Sequence, residues 1–238
     1  MTIPAADPAL VEKIALANRI LYRYGVVDGF GHVSARHDKS PSHFLLARNM
    51  APALVKREDI VTFDLDANAL DAAGRRVYLE RFIHAEIYRA RADVQAVVHS
   101  HSPSVIPFGV TGQMLQPVFH MSAFVGEGSA LFEIRDVAGD TDMLVSNGKL
   151  GAALAACLGS RSIVLMRGHG STAVGGSVEQ AVYRAIYAEV NARLQMQAKL
   201  LGEVKYLSAQ EAAKAAAIND TQVPRVWELW RQEIGPIE

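Results

Sequence analysis

Apolar residues recur at helical spacing in several separate stretches of this chain. The first stripe follows Asp7-Pro8, a pair typical of an N-cap and first helical residue, and Gly25 is predicted to end that helix. Its apolar positions are Leu10, Ile14, Ala17 and Leu21. The same kind of pattern predicts a helix that begins at Glu80. It also predicts helices over residues 149–158, 178–194 and 209–217.

Short apolar runs bounded by turn residues lie between these stripes and predict strands. The predicted strands lie within residues 29–36, after a glycine turn, and over 43–47, 60–65, 94–98, 132–134 and 162–166. The first three are joined by polar turns, which favours an antiparallel meander. The run at 162–166 is predicted to be the last strand of the chain.

Composition and charge favour one globular domain without nucleic-acid or membrane partners. The 238 residues are 50% hydrophobic, carry a formal net charge of −1 and contain no long basic run. No signal-peptide pattern is visible, and no apolar stretch reaches the roughly 18 residues of a membrane span. A single cysteine, Cys157, excludes an internal disulfide and predicts a cytoplasmic location. We expect one domain over 1–238, with a helical tail from about residue 206.

Three histidines stand at the ends of two apolar runs. His99 and His101 close the run that begins at Val94, and alternate residues of a strand face the same side. His169 follows the run at 162–166. Three imidazoles with an open position are typical of a catalytic metal site. The alternative is that two unrelated strands merely end in polar residues.

A competing motif overlaps the third histidine. Gly168, Gly170 and Ala173 fit the loose dinucleotide-binding pattern G-x-G-x-x-A. A nucleotide site would need a following strand, and none is predicted. Glu189, about 20 residues further on, falls inside a predicted helix instead of at a strand end. We therefore prefer metal binding to dinucleotide binding at His169.

Several motifs together resemble the class II aldolase/adducin superfamily over roughly residues 8–205. They are Gly31-His32-Val33-Ser34-Ala35-Arg36, Glu80 ahead of its helix, Val97-Val98-His99-Ser100-His101 and Met166-Arg167-Gly168-His169-Gly170. The resemblance implies an α/β fold, a three-layer α/β/α sandwich around a mostly antiparallel sheet. It also implies that His99, His101 and His169 bind a divalent metal, and that Glu80 binds metal or moves protons. Homotetramers with active sites between subunits are implied as well.

The chain departs from the sugar-phosphate aldolases of that family at the positions that bind phosphate. His32 replaces an asparagine, Arg48-Asn49 stands in the phosphate loop, and Tyr78-Leu79 replaces serines before the glutamate. His120 stands where the aldolases carry a tyrosine acid supplied by a neighbouring subunit. An unphosphorylated substrate is therefore expected. The sequence looks closest to the decarboxylase branch typified by 3,4-dihydroxyphthalate decarboxylase.

These observations predict a metal-dependent carbon–carbon lyase that decarboxylates a small hydroxylated aromatic carboxylate. Glu80 and His120 are the predicted catalytic residues. The predicted substrate-binding residues are His32, Ser34, Arg48 and Asn49. One divalent ion per subunit is expected, with zinc favoured and manganese, iron or cobalt as alternatives. Two other functions stay open: retro-aldol cleavage of an unphosphorylated hydroxy-keto acid, and an adducin-like interaction module without catalysis.

Overall fold

A computed structural model describes residues 3–237 of the chain. Its α-helices are α1 (Pro8–Arg23), α2 (Arg81–Ala90), α3 (Ile106–Thr111), α4 (Arg135–Ala138), α5 (Gly148–Leu158), α6 (Val178–Leu201) and α7 (Ala209–Ile234). Its strands are β1 (His32–Arg36), β2 (His43–Ala47), β3 (Ile60–Asp64), β4 (Ala96–Ser100), β5 (Ala130–Phe132), β6 (Ile163–Met166) and β7 (Gly170–Gly175). They form one seven-stranded sheet in the order β3-β2-β1-β4-β7-β6-β5.

The sheet is antiparallel except for the parallel pair of β5 and β6. Strands β1 to β3 form the predicted meander, with Ser34 opposite Leu46 and Phe44 opposite Phe63. Helices α2 and α5 pack together on one face, while α1 and α6 cover the other and α7 packs against them. The predicted three-layer α/β/α sandwich with a mostly antiparallel sheet is therefore confirmed.

The prediction that the strand at 162–166 is the last one was wrong. Gly170–Gly175 forms β7, which lies between β4 and β6 in the middle of the sheet. All its residues are buried, so the sequence lacks the alternation that marks a strand with one wet face. The dinucleotide alternative fails with this correction, because Gly170 begins a strand of a hairpin instead of a helix.

Two other predicted boundaries change. The C-terminal helix is not confined to 209–217 but continues through Pro224 to Ile234. Trp227 and Trp230 are buried, as expected of residues that dock the tail. Strand β5 begins two residues earlier than the predicted 132–134 and ends at Phe132. No helix within residues 3–237 combines the length and apolar character needed to cross a membrane.

A glycine at the start of β7 lets this strand lie very close to β4. A methyl group on Gly170 would lie 2.0 Å from the carbonyl oxygen of Ser100 and 3.0 Å from the Cα of His101. Both are backbone atoms, so the two strands would have to separate. We expect Gly170→Ala to lower the free energy of unfolding by about 2 kcal/mol, measured by chemical denaturation.

Gly176→Ala is the matched control for that substitution. A methyl group there meets only Gln180 Oε1, at an ordinary 3.5 Å. We expect its free energy of unfolding to change by less than about 0.5 kcal/mol. Equal stabilities of the two variants would contradict the close approach of β7 and β4.

Candidate metal centre and active site

Antiparallel pairing of two central strands brings the three predicted histidines together. His99 lies near the end of β4, and His101 follows that strand directly. β7 pairs with β4 so that Ser171 lies opposite Ser100. The turn that leads from β6 into β7 therefore places His169 beside His99 and His101. Gly168 adopts a positive φ of 64° within this turn, a conformation that favours glycine.

The start of α2 supplies a carboxylate to the same place. Glu80 is the residue before α2, and its Oε2 lies 3.5 Å from His99 Nε2 and 3.4 Å from His169 Nε2. His169 Nε2 lies 3.1 Å from His101 Nε2. One potential ligand atom from each of Glu80, His99, His101 and His169 lies within 4.8 Å of the other three.

Glu80 is oriented toward this cluster and does not cap its helix. Its side chain makes no capping bond, and Oε1 instead accepts a hydrogen bond of 3.0 Å from the backbone N–H of Val145. Burial alone would raise the pKa of Glu80, but the nearby His99 and His169 hold this pKa well below its usual range. Glu80 is therefore a carboxylate whose negative charge faces the imidazoles.

The donor set fits a divalent metal ion. His99 Nε2 is buried and has no hydrogen-bond partner in the described chain, which is costly for a nitrogen without a ligand. His169 Nδ1 lies 3.0 Å from the carbonyl oxygen of Met143, which fixes the ring and leaves Nε2 for a metal. Burial, together with nearby His99 and His169, lowers the pKa of His101 to about 4. Imidazole nitrogens and a carboxylate are suitable ligands for zinc, manganese, iron or cobalt.

Residues 12–196 match the sequence model of the Class II Aldolase and Adducin N-terminal domain. The chain belongs to this family. The match includes all four residues of the cluster, so the predicted family is confirmed.

Two curated relatives span nearly the whole chain. Decarboxylase tropJ from Talaromyces stipitatus is 36% identical over 258 residues, covering 98% of this chain and 96% of the relative. A 3,4-dihydroxyphthalate decarboxylase from Arthrobacter keyseri is 36% identical over 245 residues, with the same coverage of 98% and 96%. The predicted relationship to the decarboxylase branch is confirmed, and so is the prediction of an enzyme of the carbon–carbon lyase class.

A solved structure supports the fold independently. The aldolase II superfamily protein from Pseudomonas syringae superposes with a TM-score of 0.78 at 24% identity, covering 98% of this chain and 94% of that protein. At this identity the likeness establishes the shared architecture and nothing about the reaction.

In this family member, His32 lies directly beside the cluster of Glu80 and the three histidines. It pairs with His99 across β1 and β4, and the two ring centroids are 5.1 Å apart. Its other face lies against the ring of Tyr78, with centroids 4.5 Å apart. Burial, with the neighbouring His84 and His99, lowers the pKa of His32 well below its ordinary value. His32 is therefore a neutral ring that borders the cluster.

Ser34 occupies a deeper position than the sequence suggested. It is fully buried, and its Oγ lies 2.6 Å from His84 Nδ1 and 2.8 Å from the hydroxyl of Tyr88. Its predicted contact with substrate stays a prediction. Its observed contacts link β1 to α2.

His84 is the residue that the sequence analysis missed. It is fully buried on α2, and its Nε2 lies 2.6 Å from His32 Nδ1. Burial, with repulsion from His99, lowers its pKa to about 3. One signal was available, because His84 stands four residues after Glu80 and so lies on the same face of the helix.

Arg48 and Asn49 lie in the loop after β2. Arg48 Nε donates a 2.6 Å hydrogen bond to Asp59 Oδ1, and the side chain is 36% exposed. Its terminal guanidinium nitrogens have no hydrogen-bond partner in residues 3–237. The neighbouring Tyr78 hydroxyl donates a 2.6 Å hydrogen bond to the Met50 carbonyl, which holds this loop beside His32. Asn49 is exposed and donates its backbone N–H to the Arg76 carbonyl, at 2.9 Å.

His120 is not brought to the cluster by its own chain. It is exposed at the start of a 3₁₀ helix, His120–Val125, and its carbonyl accepts a hydrogen bond from the Asn219 side chain on α7. No hydrogen bond joins its ring to Glu80 or to the three clustered histidines in the described chain. The catalytic role of His120 therefore stays a prediction, without a supporting contact in the described chain.

Proposed function

We propose that this protein is a metal-dependent carbon–carbon lyase that decarboxylates an aromatic carboxylate carrying ortho hydroxyl groups. The observation that carries the proposal is the complete cluster of Glu80, His99, His101 and His169. It occurs in a chain that is 36% identical to two decarboxylases along nearly its whole length. A non-catalytic module would have no need to keep four converging potential ligands, one of which, His99, has a buried Nε2 without a hydrogen-bond partner.

The four clustered residues would hold one divalent ion, with zinc favoured. Such an ion supplies a Lewis acid for the electron pair that is left when a carbon–carbon bond breaks. Glu80 is a carboxylate beside His99 and His169 and would accept a proton from a substrate hydroxyl. Ionisation of that hydroxyl lets the ring ketonise, so the carboxylate becomes part of a β-keto acid.

Residues around the cluster would orient the substrate. The free guanidinium nitrogens of Arg48 can pair with the leaving carboxylate in a planar fork. His32 and Asn49 would add hydrogen bonds to the substrate oxygens. A proton from His120 or Glu80, delivered to the ring carbon that carries the carboxylate, would complete this ketonisation and form the new C–H bond. The bond from this carbon to the carboxylate then breaks, carbon dioxide leaves, and its electron pair restores the aromatic ring.

A substrate panel tests this function. Zinc-loaded protein is incubated separately with ortho-dihydroxylated aromatic carboxylates, hydroxy-keto acids and fuculose phosphate, while carbon dioxide and aldehyde are both measured. We expect carbon dioxide from the aromatic acids only. Aldehyde without carbon dioxide would replace the proposal with retro-aldol cleavage. Binding without any turnover across the panel would favour the interaction module.

We further propose a cytoplasmic homotetramer in which His120 of one subunit completes the site of its neighbour. Exposure of His120, away from its own cluster, supports this arrangement. Side chains of α6 and α7 hold the surrounding segment in place: Tyr183 donates to the Met121 carbonyl at 2.7 Å, and Asn219 donates to that of His120. The single thiol, Cys157, fits a reducing compartment.

Mixing two inactive variants measures whether the site is shared. His101→Ala and His120→Ala should each be inactive alone, because one lacks a ligand and the other the proton donor. Co-refolding them in equal amounts should restore about a quarter of wild-type activity, since random pairing gives that share of intact sites. No recovery from mixed oligomers, or an active monomer in light scattering, would contradict a shared site.

A further inference from the structure

A continuous chain of hydrogen-bonded, buried side chains leads from α2 to the edge of the cluster of Glu80 and the three histidines. The hydroxyl of Tyr88 lies 2.8 Å from Ser34 Oγ, and Ser34 Oγ lies 2.6 Å from His84 Nδ1. His84 Nε2 then lies 2.6 Å from His32 Nδ1. All four side chains are at least 96% buried, so water does not share these contacts.

The number of available hydrogens fixes which group donates in each of these hydrogen bonds. The buried Tyr88 hydroxyl must donate its hydrogen, and Ser34 Oγ is its only hydrogen-bond partner in residues 3–237. Ser34 therefore donates to His84 Nδ1, and His84 Nε2–H donates to His32 Nδ1. The reverse direction would leave the Tyr88 hydrogen without an acceptor in the core, which is strongly unfavourable.

One atom remains at the end of this chain of hydrogen bonds. With Nδ1 of His32 accepting from His84, the single ring hydrogen of neutral His32 lies on Nε2. This Nε2 has no hydrogen-bond partner in the described chain. Unlike His99 Nε2, it is not completely buried. It belongs to a ring 5.1 Å from that of His99, so a substrate bound at the cluster can reach it.

We infer that Ser34, which accepts from Tyr88, and His84 are positioning residues that hold His32 in the tautomer with its hydrogen on Nε2. His32 then presents a neutral hydrogen-bond donor to a carboxylate or phenolate oxygen at the metal cluster. The opposite tautomer would turn a lone pair toward that oxygen and would make His32 a competing metal ligand. The nature of the oxygen rests on the proposed function, whereas the tautomer of His32 does not.

Nitrogen NMR of the zinc-loaded, full-length protein with ¹⁵N-labelled histidine reads the tautomer directly. A His32→Gln spectrum assigns the His32 signals. We expect a protonated Nε2 and an unprotonated Nδ1 for His32 in the wild type. Protonated Nδ1 in the wild type would overturn the inference whether or not the protein decarboxylates anything.

Tyr88→Phe removes the Tyr88 hydroxyl but leaves Ser34 able to donate to His84 Nδ1. The ring keeps its contact with Phe44 and with the Arg36 guanidinium, which lies 4.8 Å from the ring centroid. We expect the Nδ1–H tautomer of His32 to appear in Ser34→Ala, where His84 Nδ1 has lost its donor, and the wild-type tautomer to remain in Tyr88→Phe. A wild-type tautomer that persists in folded Ser34→Ala would overturn the role of Ser34.

Kinetics of the same variants separate positioning from simple destabilisation. With an aromatic carboxylate substrate, kcat/KM should fall about 10-fold in Ser34→Ala at unchanged zinc content. Tyr24→Phe removes a hydroxyl that bonds Glu233 far along the chain and should leave kcat/KM unchanged. Equal effects of the two substitutions would contradict the inference. Failure of the decarboxylation assay alone would instead count against the proposed function, because the NMR result is independent of substrate.

Discussion

Replacing His101 by alanine is expected to remove both the bound metal and the lyase activity. His101 Nε2 lies 3.1 Å from His169 Nε2, so the two nitrogens point at one position that also faces Glu80. Loss of one ligand lowers the affinity of the remaining ligands for a divalent ion, so we expect the ion to be lost during dialysis. Activity should fall by at least about 10³-fold, since the metal contributes several kcal/mol to the transition state. Elemental analysis of the dialysed variant measures the metal.

His43→Ala is the matched control for this experiment. His43 is half-buried, as His101 is, but it lies on β2 and bonds Ser40 at 2.7 Å. Metal content and activity should both stay at the wild-type level in this control. Full metal occupancy in His101→Ala would show that His101 is not a ligand.

Arg48→Ala is expected to lower turnover by about 10²-fold or more while leaving the metal content intact. One edge of the guanidinium is fixed by Asp59, and the terminal nitrogens are free to orient a carboxylate. Truncation removes this orientation without touching the cluster of Glu80 and the histidines. Steady-state kinetics and elemental analysis of the same preparation measure the two effects.

Arg57→Ala controls for the loss of a nearby positive charge. Arg57 pairs with Glu12 at 2.9 Å and is 50% exposed, so it carries the same charge without a role at the cluster. Its turnover should match that of the wild type. Arg48→Ala with unchanged turnover would remove Arg48 from the substrate site.

The histidines that come together in the structure could be found from the sequence because their signal is local. His99 and His101 are two residues apart at a strand end, and His169 also follows an apolar run. The role of Glu80 came from the family resemblance. Its pattern alone was equally compatible with an acid favoured by the helix dipole, and only the structure shows that its side chain faces His99 and His169.

Neither strand β7 nor the full length of α7 could be predicted, the strand because it is fully buried and the helix because it is largely exposed and contains a proline. β7 is buried on both faces and begins with Gly170, which is required for close approach to β4. It therefore shows no alternation, and its two β-branched residues, Thr172 and Val174, lie among glycine, serine and alanine. Helix α7 is largely exposed and contains Pro224, which normally ends a helix. In both cases tertiary packing overrides the local pattern.

The contacts of His84 depend on distant parts of the chain. Its partners Ser34 and His32 precede it by 50 and 52 residues. Pairing of β1 with β4, and packing of α2 against that sheet, bring them together. Without the fold, only its spacing of four residues from Glu80 distinguishes His84 from the other polar residues of α2.

Carbon dioxide release from a substrate labelled with ¹³C in its carboxyl group tests the central proposal most directly. The substrate is an ortho-dihydroxylated aromatic carboxylate, incubated with the wild type before chelation, after chelation and after zinc is restored. We predict one labelled carbon dioxide per substrate consumed, loss of this release on chelation, and its recovery with zinc. Release that continues at full rate in metal-free protein, or substrate cleavage without labelled carbon dioxide, would contradict a metal-dependent decarboxylase.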